Sequence, residues 1–369
     1  MGKRELLIIA AFILIGGVAY QLTAPPPTGD ESRFSLSRVL TTFRREVGAN
    51  RASASATTRG TIAITPALEE VRIAGMTAVS VTGENRHDIS YALTVESTGP
   101  DEVTAQEAAA RTTLLDDDLG PVLSLRPQQT RQGRQVARLT LTVPSHLKLR
   151  VEGGSSGTTV AASAVRGVQL DAVVGDTRLE RVQGAITGSH RNGELRIDDA
   201  GSVTMTLVLS KATIGGVRGA VMLSARNGRC ELTAPQGAVE LDLSNEDVTI
   251  AQNAAFVSIG GSGGRIAISD PQQDVKVDVR RAAIDLALRR PVRVTVLTTD
   301  APLRLQLGEP IPPITLDAAS IGSTIKASAM DLATEHGETE SRLHHVFGNG
   351  ARVVSLRNER GEIVISRMK

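Results

Sequence analysis

The sequence predicts an all-β fold: a single-chain β-solenoid, or β-helix-like stack of parallel strands with 17–18-residue rungs, preceded by an N-terminal transmembrane helix. Three observations predict it. Apolar residues recur down the chain in two columns of fixed spacing. Within each repeat, apolar and polar residues alternate. Residues 1–24 are an apolar segment unlike anything after them.

The first column reads Val168, Ile186, Val203, Val221, Val239, Val257, Val275 and Val292, whose successive spacings are 18, 17, 18, 18, 18, 18 and 17. The second reads Leu179, Ile197, Ile214, Leu232, Ile250, Ile268, Leu286 and Leu303, with the same spacings in the same order. A short fixed period of apolar positions marks a fold whose units cover one another's cores. Val239-Glu240-Leu241-Asp242-Leu243 and Val275-Lys276-Val277-Asp278-Val279 alternate with period two, the pattern of a strand with one buried face. A second run follows later in each rung, as in Val248 and Ile250 or Ile266 and Ile268. Turn residues lie between the runs: Asn192-Gly193, Asn227-Gly228, Asn245-Glu246-Asp247 and Gly263-Gly264. A left-handed β-helix has coils of similar length, but builds them from three short strands. Two inward groups per coil favour a flattened, two-sided coil. Eight rungs stacked about 4.8 Å apart give a rod of roughly 38 Å.

The elements follow in order. Residues 1–24 carry Lys3-Arg4 and then the uncharged apolar run Leu6–Ala19. Its length lies between a signal peptide's apolar region and a short membrane span. An uncleaved signal-anchor is the favoured reading; a cleaved signal and a buried helix are the alternatives. Pro25 directly follows the weak cleavage motif Leu22-Thr23-Ala24, and no Cys lies nearby to take a lipid. Arg33, Arg38 and Arg44 compete with Lys3 and Arg4 under the positive-inside bias, so charge alone leaves orientation open. Residues 25–58 read as a Pro-rich linker and amphipathic segment. Phe34, Leu36, Val39, Leu40, Phe43 and Val47 share a helical face, on a membrane surface, in a stalk or against the rod. Ala52–Thr58 read as a small-residue linker.

Residues 59–145 form the N-terminal β-rich part, with strand-like runs at Thr61–Thr65, Val71–Ile73, Val79–Thr82 and Ile89–Val95 and a short helix over the alanine-rich Val103–Leu115. Residues 146–307 hold the regular repeats, and Val151 and Val160 fit one further rung upstream. Residues 308–369 form an irregular C-terminal cap. Pro310-Ile311-Pro312-Pro313 and the polar segment Glu335–Glu340 cover the open end, and Ile363-Val364-Ile365 forms a closing strand.

The segment LTLTVPSHLKLRVEGGSSG (residues 139–157), with strand, Val-Pro, strand and a Gly-rich entry to the repeats, resembles the putative-adhesin domain family of bacterial envelope proteins. So do the small units Val182-Gln183-Gly184-Ala185-Ile186 and Val217-Arg218-Gly219-Ala220-Val221. The resemblance covers roughly residues 55–369, although many rungs lack the Gly. It implies a β-solenoid, an exported location and no catalytic residues. The family has no known function, and "adhesin" in its name is an inference from architecture.

Composition narrows the function. Forty-one basic against forty acidic residues give a net charge of +1, which leaves no nucleic-acid footprint. Aromatics are 2% of the chain and Trp is absent, so a thin aliphatic core is expected. Cys230 stands alone in a column with Leu195, Val248, Ile266 and Ile284 and reads as a small buried filler. His344-His345, with His336 and Glu335 or Glu338, have the ligand types of a zinc or copper site, but nothing in their spacing fixes a geometry. Asp116-Asp117-Asp118 reads as the solvated end of a helix rather than a cation site. Gly260-Gly261-Ser262-Gly263-Gly264 lacks the Lys and Ser/Thr of a phosphate loop and reads as a tight turn.

Two outward columns complete the reading. One holds Gln169, Thr187, Thr204, Met222, Glu240, Ser258, Lys276 and Arg293; the other holds Asp171, Ser189, Thr206, Ser224, Asp242, Gly260, Asp278 and Thr295. Neither gathers carboxylates as a polysaccharide-cleaving β-helix requires, and neither offers aromatic platforms. No catalytic, cofactor-binding or metal-binding residue is assigned, and no cofactor is expected. The expected function is a non-catalytic adhesion or interaction surface of the bacterial envelope, with the repeats outside the cytoplasmic membrane. Its expected partners are the membrane, through the N-terminal helix, and an envelope protein or glycan. An end-to-end scaffold like the bactofilins is the alternative, with association of copies by end or edge; a polysaccharide-active enzyme ranks third.

Overall fold

The computed structural model describes residues 52–128, 134–154, 157–327 and 330–368. The anchor expected over residues 1–24 and the amphipathic face Phe34–Val47 lie outside them. Among the described residues no helix is long and apolar enough to cross a membrane. They form an all-β fold of 25 strands joined in one hydrogen-bonded system, with a single helix.

The repeats stack as two parallel ladders. The first runs through β8 (Lys148–Glu152), β10 (Gly167–Val174), β11 (Thr177–Val217), β12 (Val221–Arg226), β14 (Val239–Ala251), β15 (Val257–Ser269), β16 (Val275–Arg280) and β18 (Val294–Thr299). Along it Val203, Val221, Val239, Val257 and Val275 stand opposite one another, one per rung. The second uses β9 (Thr159–Ser163), β13 (Arg229–Thr233), β17 (Ala283–Leu288) and β19 (Leu303–Leu307) with the start and the end of β11 and the later halves of β14 and β15. There Ile214, Leu232, Ile250, Ile268 and Leu286 align. Both columns are buried, and so are Val151 and Val160 in the upstream rung. Alternation explains this: with period two, every second side chain enters the space between the ladders, and aliphatic residues fill it.

The last regular step differs from the expected one. Val275 stands opposite Val294 rather than Val292, and Leu286 opposite Leu305 rather than Leu303, so this rung is longer by two positions than the columns implied. Val292, Val294 and Val296 are all buried, because a slip by two returns each side chain to the same face. Alternation alone therefore cannot choose between the two registers. The extra length is taken up at Arg289–Arg293, which forms no strand and contains Pro291.

Each rung bends back at two corners, and each corner is a column of left-handed residues. One column runs Asn192 (φ 52°), Leu209 (53°), Asn227 (57°), Asn245 (52°), Gly263 (73°), Arg281 (54°) and Asp300 (57°). The other runs Ala164, Arg181, Asp199, Gly216, Ala234, Gln252 and Asp270, with φ between 50° and 64°. Asn, Asp and Gly accept this conformation readily, whereas a bulky side chain incurs a local penalty. The corners also bring backbones close: a Cβ on Gly264 would lie 2.0 Å from the Glu246 carbonyl oxygen.

Both ends of the stack depart from chain order. At the N-terminal end, β2 (Glu70–Ile73) lies between β8 and β6 (Val122–Gln128), and β3 (Ala78–Glu84) between β9 and β7 (Arg134–Pro144). Three antiparallel pairings finish it: β4 (Asp88–Gly99) on β7, β1 (Ala52–Ala63) on β4, and β5 (Thr113–Asp118) on β6. Helix α1 (Glu102–Arg111) packs on β1 and β4 and buries Ala105, Ala108 and Ala109, and the Asp101 side chain accepts from the Thr104 N–H as its N-cap. Two expectations are corrected here. Ala52–Thr58 belong to β1 rather than to a linker, since alternate small side chains fit under the helix. Leu114–Asp118 belong to β5, not to the helix or its end, because pairing with β6 outweighs their polarity.

At the C-terminal end, β20 (Ile314–Ile321) and β21 (Ile325–Lys326) do not stack on β18 and β19. The later strands β24 (Arg352–Glu359) and β25 (Ile363–Arg367) fill the places between them. Ile363–Ile365 is therefore a strand, as expected, but an interior one rather than the closing one. Beyond β20 lie β23 (Glu340–Val346) and β22 (Glu335–His336), both antiparallel, so the polar segment at Glu335–Glu340 does sit at the end.

Three substitutions test this arrangement. Val257→Asp, in the buried column, is expected to destabilise by several kcal/mol, about what an unpaired charge in a dry core costs. Outward Ser258→Asp is expected to change stability by less than about 0.5 kcal/mol; equal tolerance at the two positions in denaturant titrations would refute the register. Leu209→Asn, at an exposed corner, is expected to raise stability by up to about 1 kcal/mol, measured the same way.

Candidate interaction surface

The outward rows of the first ladder are mostly polar, with Met222 and Leu297 exposed among them. Glu240, Ser258 and Lys276 are neighbours, and the row continues to Thr295. Asp242, Gly260 and Asp278 form the next row, which continues to Leu297. The sequence-based columns had placed Arg293 and Thr295 at these ends; the slip by two positions corrects both, and Arg293 instead lies 4.0 Å from Asp274. Asp242 and Asp278 are separated by the rung of Gly260, about 10 Å at two strand spacings. The acids thus stand too far apart, and too openly, to share a proton or a cation.

The second ladder carries a lattice of ion pairs between rungs. Lys211 meets Glu194 at 3.0 Å, Arg229 meets Asp247 at 3.7 Å, and Asp285 is shared by Arg265 at 3.0 Å and Arg304 at 3.8 Å. Each pair is open to solvent and worth little alone. Their joint effect is to leave a face of nearly balanced charge. The cavities are shallow. A groove of about 310 Å³ crosses the outward face near the C-terminal end, between Leu297, Ile321, Arg280, Arg357 and Glu340.

The candidate ligands of a metal are scattered by the fold. His344 faces Asp317, which is held by Arg357 at 3.0 Å; the His345 ring packs edge-on against Phe347 with centroids 4.4 Å apart. Glu335 faces Arg342 and His336 faces Ser341. Among the described residues no group of three or more His, Cys, Asp or Glu is placed to hold a metal ion. Asp117 pairs with Arg126 at 3.2 Å, and Asp118 accepts from the Gly120 N–H. Gly260–Gly264 lie in β15, where the glycines allow close stacking on Leu243 and Glu246.

Cys230 is buried as expected, and burial pushes its thiol up to about 12, which leaves no thiolate for chemistry at neutral pH. Two buried ionisable residues among those described, His190 and Glu246, escaped sequence reasoning. His190 sits near a corner, its Nδ1 2.9 Å from the Ser210 hydroxyl and its Nε2 2.7 Å from the Gly175 carbonyl; burial lowers its pKa. Glu246 is 1% exposed. One carboxyl oxygen accepts from the Gly228 N–H at 2.6 Å, and the other has no partner. Desolvation raises its pKa to about 7. The signal for it was present: its stacked neighbours at this corner are Gly228 and Gly264, so a charged residue occupies a column of glycines.

No protein-family model and no curated protein sequence matches this chain. Solved structures do. A putative cell adhesion protein from Clostridium sporogenes is similar over 85% of this chain and 100% of its own, with 9% identity and a TM-score of 0.19. A putative adhesin from Parabacteroides distasonis is similar over 68% of this chain and 97% of its own, with 11% identity and a TM-score of 0.38. A putative lipid binding protein from the same organism covers 85% and 97%, with 10% identity and a TM-score of 0.21. At such scores the fold rests on its own strand pairings.

The two buried groups give opposite pH dependences. Glu246 binds its proton more tightly folded than unfolded, so its contribution to stability is full below about 4.5 and lost as pH rises to about 7. His190 is held neutral, so its contribution is present above its ordinary 6.5 and lost as pH falls below it. Glu246→Gln keeps an acceptor for Gly228 without the charge. It is expected to raise the Tm relative to the native chain at pH 8 and not at pH 4.5; an equal change at both would remove the buried charge as the cause.

Proposed function

We propose that the chain is a membrane-anchored, extracytoplasmic β-solenoid whose surface serves adhesion or interaction at the bacterial cell envelope, without catalysis. The observation that carries this reading is the outward face itself. On the first ladder it is a run of stacked strands bearing mostly polar side chains with Met222 and Leu297 among them, on the second a set of neutralising ion pairs, and the grooves described reach about 310 Å³. Such a face suits a macromolecule, protein or glycan, held by many weak contacts rather than a small molecule held in a pocket. The dispersed acids argue against a polysaccharide-cleaving site. The anchor is the apolar run of residues 1–24, with the repeats on the far side of the cytoplasmic membrane.

The end-to-end scaffold is less well supported, because the strand edges at the two ends differ. The edge at β22 and β23 carries Glu335, Glu340 and Arg342, and β5 carries three aspartates, all of which discourage strand addition.

Cell fractionation with protease added outside the cytoplasmic membrane tests the location. Full-length chain retaining Lys3 is expected in membranes, with the rungs digested; protected rungs would reverse the orientation, and a soluble form beginning near Pro25 would mean cleavage. Cross-linking in native cells followed by pull-down tests the surface. Once a partner is captured, Lys276→Ala alone is expected to weaken binding about twofold, as exposed polar contacts do. Changing Glu240, Lys276 and Asp278 together is expected to weaken it about tenfold or more. One substitution that abolished binding would mean a discrete site instead.

A further inference from the structure

We propose that β1 is the seam of a two-fold homodimer, in which the edge of β1 left unpaired among the described residues pairs antiparallel with its own copy about Thr57. β1 is a strand of 12 res that pairs along its whole length with β4 on one side. Its other edge pairs with no described strand. A long open edge presents a row of unsatisfied N–H and C=O groups, and proteins guard such edges with charge, proline, bulges or brevity. The other terminal strands of this stack are guarded in these ways. β5 ends in Asp116-Asp117-Asp118; β22 is only Glu335-His336, both ionisable; β21 is only Ile325-Lys326, and Lys326 is in an ion pair with Glu362. β1 has the sequence ASASATTRGTIA, with no proline and one charge, and its pairing with β4 runs without a register shift. It is a strand shaped to be paired.

The strand is also complementary to itself. Opposed residues in an antiparallel pair share a face, so the two numbers of each pair must sum to an even value. In the register centred on Thr57, the outward pairs are Ser53 with Thr61, Ser55 with Arg59, and Thr57 with its own copy. The pairs on the other face are Ala52 with Ile62, Ala54 with Gly60, and Ala56 with Thr58. No like charges meet, since Arg59 faces a serine. Ala52, Ala54, Ala56 and Gly60 are half-buried, α1 packs on the strand, and the Tyr91 ring lies over Gly60. The added strand therefore extends an ordered antiparallel sheet (β1, β4, β7) rather than a frayed one. A two-fold pairing uses the same edge on both copies and closes, whereas a head-to-tail contact would need a second open edge at the far end.

The test uses the full-length chain, purified in mild detergent because of its apolar N-terminal run. Sedimentation is expected to give a protein mass twice 38.8 kDa at micromolar concentration, falling towards the single mass on dilution. Thr57→Cys is expected to form an intermolecular disulfide under mild oxidation. Ser258→Cys, outward but in the regular repeats, and the native chain, whose Cys230 is buried, are expected to stay monomeric on a non-reducing gel. Thr57→Lys, which sets two charges face to face at the axis, is expected to shift the dimer to monomer at least tenfold in concentration while leaving the circular dichroism spectrum unchanged. A single mass at every concentration, or cross-linking no faster at position 57 than at 258, would overturn the proposal. So would a ladder of larger species, which would indicate end-to-end growth.

Discussion

The molecule depends on the in-register pairing of each strand with its counterpart one rung further on. Each rung satisfies its backbone polar groups only through its neighbours, and the same pairing stacks Val203, Val221, Val239, Val257 and Val275 into one buried column. No rung has a core of its own. Two thin layers of Val, Ile, Leu and Ala become a dry interior only because the column is continuous. This explains the near absence of aromatics: a wide ring at one level would force the ladders apart at the levels above and below.

The corners carry the second constraint. A rung must reverse twice within its short length, and it does so with one left-handed residue at each bend. Where that residue is Asn, Asp or Gly the conformation is inexpensive; Leu209 and Arg281 adopt it because the stack on either side leaves no other course. The same crowding isolates Glu246, which reaches along the space left by Gly228 and gives up its solvation there. Polar burial in the repeats is therefore a property of the bends, while the strands between them bury apolar groups and small neutral ones.

Much of the fold was legible in the sequence, because a repeat states its architecture many times. Alternation marked the buried faces, and Asn-Gly pairs marked the bends. The last rung was misplaced for a definite reason: Val292 and Val294 are both buried, and only hydrogen bonding separates the shorter step from the longer one. Ala52–Thr58, the first part of β1, were read as a linker because Ala, Ser and Thr are small and polar enough for either role; their pairing with β4 is a tertiary choice. The surface was less legible. Rows of Glu240, Ser258 and Lys276 followed directly from the period, but Glu246 and His190 lie in turn-like sequence, and their burial shows only when the rungs are stacked.

The threading of the C-terminal rung has a temporal consequence. β20 and β21 are synthesised before β24 and β25, yet their parallel partners in the finished stack are those later strands. During synthesis, the growing stack therefore waits with its C-terminal edges uncovered until β24 and β25 emerge. A chain that stops short of Arg352 keeps β18 and β19 as bare edges, available to any other unfinished chain. β24 and β25 thus act as a latch: once they are in place the C-terminal edges of both ladders are covered, and what remains beyond them is the short, charged antiparallel pair of β22 and β23.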